Sequence, residues 1–207
     1  MIEYIRFLFE ALLISLSGIM APGPITALTL GEGSESPKAG SLIAVGHGIF
    51  EFPLMVLLFL GFGFIFNFTF VKTAIGILGG VLLLFMGIGL LKGIHRTDIH
   101  SARNPHHPIV AGIILTAGNP YFLIWWATIG VSLILRSVKF GFIGFLIFAV
   151  LHWLCDFIWY TFLSMLSFRG GRFFGAKFQK IIFAICGASL LFFSAKFIYD
   201  AVKMYFI

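Results

Sequence analysis

Charge is scarce in this sequence. Of 207 residues eight are acidic, and 11% carry a formal charge, against roughly 25% in a soluble domain. That shortage excludes a water-soluble globule, and a mean hydropathy of +1.07 agrees. Cysteine is scarcer still. Cys155 and Cys186 stand far apart in apolar surroundings, with no CxxC. A disulfide framework is therefore excluded, and two buried thiols are expected. No GxxxxGK[ST] occurs, so nothing marks a nucleotide-driven pump, and no cofactor is implied. The opening MIEYIRFLFEALL lacks a basic n-region and a small-residue cleavage site, and reads as retained. The net charge of +6 is not a nucleic-acid footprint. The basic residues stand mainly at the edges of apolar runs, where they anchor helix ends at a bilayer surface.

What the chain does have is length of apolar sequence. Six stretches emerge, at about 8–33, 39–63, 70–93, 108–134, 140–167 and 178–203. Each can cross a hydrocarbon core of about 30 Å, which takes roughly 20 helical residues. Helices are the expected spanning form, because backbone groups in lipid must be satisfied internally and the alternation of barrel strands is absent. GEGSESPKAG at 31–40 reads as a loop, with Ser36 as N-cap and Pro37 in the first turn of the next helix. RSVK at 136–139 and the basic RGGRFFGAKFQK at 169–180 read as connections. HRTDIHSARNPHHP at 95–108 is the longest polar segment and divides the chain in two. Its histidines (His95, His100, His106, His107) suit either a solvated loop or metal binding. Loops on one side carry Lys38, Lys92, Arg96, Arg103, Arg169, Arg172, Lys177 and Lys180, against six basic residues on the other. The positive-inside tendency then places both termini outside the cytoplasm of a multi-pass protein in the cell membrane.

The two sides of the divide resemble each other. Residues 44–52 read AVGHGIFEF and 149–157 read AVLHWLCDF. Gly76-x-x-x-Gly80 parallels Ala184-x-x-x-Ala188, each followed by a Leu-Leu pair. Pro22-Gly23-Pro24 interrupts the first stretch and Asn119-Pro120 the fourth. The chain therefore reads as two copies of a three-helix unit, 1–94 and 108–207, joined by the polar linker 95–107. Three is odd, so the second copy must be inverted. The expected fold is an all-α integral membrane protein of six transmembrane helices in two inverted three-helix repeats, a layout common among transporters.

Two features carry candidate chemistry. Proline within a helix removes a backbone donor, and the freed carbonyls need neighbours or a wet cavity. Pro22, Gly23, Pro24, Asn119 and Pro120 are therefore candidate binding residues, the bland alternative being two packing kinks. Glu51 and Asp156 lie near the middle of their stretches, where an acid costs about 2.5–3.5 kcal/mol. His47 and His152 each precede one by four residues, so each pair shares a helix face that must point into the bundle. A proton relay or cation site is one reading, and a structural pair gluing helices is the other. Trp125, Trp126, Trp159 and Tyr160 read as packing or interfacial residues.

On these residues the chain resembles LysE-type translocators, the lysine exporter superfamily. The resemblance rests on Pro22-Gly23-Pro24, Lys38-Ala39-Gly40, Gly46 and Glu51, with Asn119-Pro120 in the second half. It implies six helices, two inverted halves and export of amino acids or other small solutes from the cytoplasm. More distant relatives export metal ions, and others carry electrons through paired membrane cysteines. His47, His152 and Asp156 depart from the amino-acid exporters, as does Glu51 where Asp is usual, and they leave the substrate open.

The expected function is a secondary exporter of amino acids or similar solutes, working by alternating access with proton or sodium coupling. Its partners are a small-molecule or ion substrate and the lipid bilayer, with a homodimer compatible and nucleic acid excluded. No resident metal and no enzymatic activity are expected. The alternative is a divalent metal exporter with His47, Glu51, His152 and Asp156 as ligands. A redox conduit is disfavoured, because no cysteine lies near either proline break.

Overall fold

The structure, a computed structural model, describes residues 2–20, 23–61, 68–93 and 107–206. Among these the chain is entirely helical. In chain order come α1 (Ile2–Ile19), α2 (Pro24–Glu35), α3 (Ala39–Phe59) and α4 (Thr69–Gly93). After the divide come α5 (Pro108–Ala117), α6 (Pro120–Trp125), a π-helical turn (Trp126–Gly130), α7 (Val131–Val138) and α8 (Gly141–Phe206). Most of the linker, 94–106, lies outside the described residues, and with it His95, His100 and His106. His107 caps α5, its Nδ1 accepting the Ile109 N–H at 3.4 Å.

Among the described residues five helical segments are long and apolar enough to cross a membrane, and six if α1 and α2 form one broken span. Those two are bent by 72°. The count matches the expectation from hydropathy, but several boundaries do not. The fourth crossing does not start at Pro108. α5 has ten residues, about 15 Å of helix, too short to span alone. The long apolar segment is Pro120–Val138. Ser36 ends α2 instead of opening α3, and the Arg136–Lys139 connection is largely the end of α7.

The basic segment 169–180 is helical, not a loop, and lies within the 66-residue α8. That element cannot be straight. Tyr160 and Phe197 pack in one cluster, whereas a straight helix would hold them about 55 Å apart. It doubles back, and its two apolar segments are Gly141–Gly170 and Ala184–Met204.

Glycines set how closely the helices meet. A Cβ on Gly46 of α3 would lie 2.0 Å from the Ile109 carbonyl of α5. Reciprocally, one on Gly112 of α5 would lie 2.4 Å from the Ile43 carbonyl. The backbones of α3 and α5 therefore rest on each other, the close approach that small residues permit in membranes. Gly76 and Gly80 similarly seat α4 against Ala201 and Ile198 near the end of α8. Their sequence counterpart Ala188 is exposed, so the likeness does not extend to this seam.

Two apolar clusters fill the interior. One includes Leu28, Ile43, Leu115, Leu163 and Leu190. The other includes Phe7, Met55, Trp126, Leu133 and Phe148. Along α3, the first cluster comes before His47 and the second after Glu51. Along α8 the order reverses, with Phe148 before His152 and Leu163 after Asp156. The histidine–acid residues thus lie between two apolar layers. Toward the start of the chain, Glu10 accepts from Arg6 at 3.1 Å and from Arg136 at 2.5 Å, tying α1 to α7.

Candidate functional site

α3 presents His47 and Glu51 one turn apart, and α8 presents His152 and Asp156 in the same relation. The packing of α3 on α5 brings Thr116 within 2.8 Å of His47 Nδ1. On the other side, Ser15 of α1 lies 2.7 Å from His152 Nδ1. Each histidine is thus held at its Nδ1 by a hydroxyl from the other half of the chain. Each directs Nε2 toward the acids, and all four ionisable side chains are at most 4% exposed.

They meet at one point. His47 Nε2 is 3.1 Å from Glu51 Oε1 and 3.6 Å from Asp156 Oδ1. His152 Nε2 is 3.3 Å from Glu51 Oε1 and 3.8 Å from Asp156 Oδ2. Trp126 donates its indole N–H to the same Glu51 Oε1 at 3.2 Å. Tyr160, one turn along α8, donates to Asp156.

The partners fix where protons sit. Thr116 donates its hydroxyl to the Gly112 carbonyl at 2.6 Å. It must then accept from His47 Nδ1, which carries a proton. The contact from His47 Nε2 to Glu51 Oε1 needs a second proton, on one partner or the other. Among the described residues, neither Glu51 Oε2 nor Asp156 Oδ2 has a hydrogen-bond partner. A buried acceptor left unpaired costs about 1–3 kcal/mol, and more when charged. Two such oxygens in one cluster suit it to receiving a cation or a donor group.

The cluster opens on a cavity of about 290 Å³. Gly23 and Pro24 line it, as does Asn119, so the two helix breaks meet the ionisable cluster at one place. Pro24 and Pro120 each occupy the first turn of a new helix. Asn119 caps α6 through the Tyr121 N–H at 3.1 Å, whereas Gly23 offers α2 no side-chain cap. Pro120 is buried but is not part of the cavity wall, and Pro22 lies outside the described residues. Phe122, Trp125, Trp126, Tyr160, Phe193 and Phe197 supply the aromatic walls.

Trp126 and Tyr160 are the residues that a membrane-belt reading misses. No sequence signal tied Ser15 or Thr116 to the histidines.

A family model for the LysE type translocator matches residues 16–201, a range that contains every ionisable residue of this cluster. The chain belongs to the LysE type translocators. No curated protein and no solved structure matches it. As a LysE type translocator the chain is a multi-pass membrane protein that moves a small molecule or ion. The family match thus agrees with the resemblance carried by the Pro-Gly-Pro run and Glu51.

Proposed function

We propose that this translocator is a secondary exporter of amino acids or similar small solutes, coupled to protons or sodium and working by alternating access. The observation that carries the reading is the convergence of His47, Glu51, His152 and Asp156 on one cavity beside both helix breaks, with two carboxylate oxygens unpartnered among the described residues. The unpartnered oxygens suit an ammonium group or a coupling cation. The start of α2 suits a carboxylate, since a helix N-terminus carries partial positive charge. The histidines relay a proton near neutral pH. The apolar layers on either side of the cluster suit a site that is opened to one face at a time.

Two inverted repeats, 1–94 and 108–207, belong to the same proposal. The exchange of hydroxyl partners supports it: His47 takes Thr116 from the second half, and His152 takes Ser15 from the first. The positive-inside tendency, with both termini outside the cytoplasm, belongs to the same proposal.

A divalent metal ion as cargo is the second reading. Ligand atoms of His47, Glu51 and Asp156 all lie within 4.8 Å of one another. In a tetrahedral zinc site with bonds of about 2.0–2.1 Å, neighbouring ligands sit about 3.3 Å apart. Flux in liposomes separates the two readings. The exporter reading expects efflux of a labelled L-amino acid mixture, and His47→Gln with His152→Gln flattens its pH dependence. Tight zinc or nickel binding that this double substitution removes, without amino-acid flux in the unsubstituted protein, would replace it with the metal reading.

A further inference from the structure

Glu51 uses its two oxygens unequally. Oε1 faces three ring nitrogens, those of His47, Trp126 and His152, at 3.1, 3.2 and 3.3 Å. Oε2 has no partner among the described residues. A carboxylate oxygen has about two lone-pair sites, so Oε1 is saturated and Oε2 is unused. The three nitrogens also differ in kind. An imidazole nitrogen donates or accepts according to its proton, whereas an indole N–H is a donor and nothing else. Trp126 is the one contact to Oε1 whose role cannot change.

The local fold holds this indole in place. Trp126 is fully buried and opens the π-helical turn Trp126–Gly130. Such turns insert one residue into a helix and often mark functional sites. The extra residue rotates the helix before the turn by about 100° relative to the helix after it. Trp126 thereby faces Glu51, while Leu133 and Ile134 stay packed in the apolar layer. At the end of the turn, a Cβ on Gly130 would lie 2.2 Å from Trp126 Cε3. The ring occupies space that any other residue at position 130 would take. Its edge also meets the His152 ring at 5.0 Å, and Trp125 stacks on the same imidazole at 5.3 Å.

We infer that Trp126 is a positioning residue for transport: its indole pins Glu51 Oε1, making Oε2 the oxygen that meets the cargo, and Gly130 in the π turn provides the room it needs. This rests on the proposal that Glu51 binds cargo. Without the peg, Oε1 is held only by the two imidazole nitrogens, whose roles change with their protons, and the position of Oε2 changes with them.

The test uses Trp126→Phe, which removes the N–H, and Gly130→Ala, which displaces the ring and keeps it. Both are reconstituted in liposomes, and efflux is measured for the amino acid that the unsubstituted protein carries fastest from a labelled mixture. Loss of a bond to a charged acceptor predicts a KM increase of about 10- to 100-fold, with a much smaller fall in maximal flux per inserted protein. The KM rises for Gly130→Ala as well. A structural role alone would lower the amount of folded protein and leave KM where it is. Unchanged KM in both variants overturns the inference, as does failure of both to fold, which would assign the indole to packing.

A second readout does not depend on cargo. The infrared carboxylate stretch that disappears in Glu51→Gln belongs to Glu51, and it should shift in Trp126→Phe. If the unsubstituted protein carries no amino acid while that band shifts, the exporter reading fails and the peg stands. A band that does not move removes the peg.

Discussion

Glu51 and Asp156 stand in matching sequence frames, yet the structure treats them differently. Glu51 gathers three ring nitrogens on one oxygen, two of them from outside α3. Asp156 lies 3.6 and 3.8 Å from the histidine nitrogens, beyond a direct hydrogen bond. Its donor comes from its own helix, Tyr160 one turn on. One methylene accounts for part of this, since the longer glutamate reaches the point between both imidazoles. The rest comes from Trp126, brought in by the π turn. A repeated motif has thus produced one anchored acid and one loosely held acid, and the loosely held one has room to change partners.

Four substitutions break or sharpen that contrast, and thermal unfolding in detergent reads each. Glu51→Gln should cost most, about 3 kcal/mol or more, because the buried charge facing three nitrogens disappears. Flux in liposomes should vanish as well. Membrane insertion should be intact, since a midplane charge is removed and not added. Next comes Glu51→Asp, which draws the carboxylate back from Trp126 and should cost about 1.5–3 kcal/mol, the worth of a bond to a charged group. If it behaves like the unsubstituted protein, reach is not what separates the two acids.

Asp156→Asn should also stop transport, yet cost only about 1 kcal/mol of stability through its single donor. A larger loss than that of Glu51→Gln would invert the comparison. Lys196→Ala is the smallest. Lys196 pairs with Asp200 at 2.7 Å and the same four-residue spacing, but both side chains are about half exposed. An exposed pair of this kind contributes roughly 0.2–0.5 kcal/mol, so the unfolding midpoint should hardly move.

Much of this was readable from the sequence because the signals are local. Apolar length gave six crossings, and four-residue spacing put each histidine on the face of its acid. Proline marked both breaks. What escaped depends on distant neighbours. Glycines 170, 171 and 175 read as a loop, yet the helix continues through them. In the run from Pro108 the break at Asn119-Pro120 was marked, but not that the helix before it is too short to cross alone and that the longer piece follows. The pieces also differ in order: 18 residues precede the first break and 12 come after it, whereas the short piece comes first at the second. Trp126 was legible as apolar and aromatic, but the partner of its N–H is set by a π turn that composition does not reveal.

The seam between α3 and α5 has a mechanical consequence. Where one backbone rests on another through a missing Cβ, no side chain is left between them to act as a bearing. A slide of one turn would drive Leu42 or Phe50 into the Ile109 carbonyl in place of Gly46, so the two helices have no neighbouring stop to slide to. They form a single beam, with His47 and Thr116 riveted across it. Any hinge must then lie off the beam: the gap at Gly118–Asn119 sits at the end of α5, and the 72° break between α1 and α2 lies beyond α2.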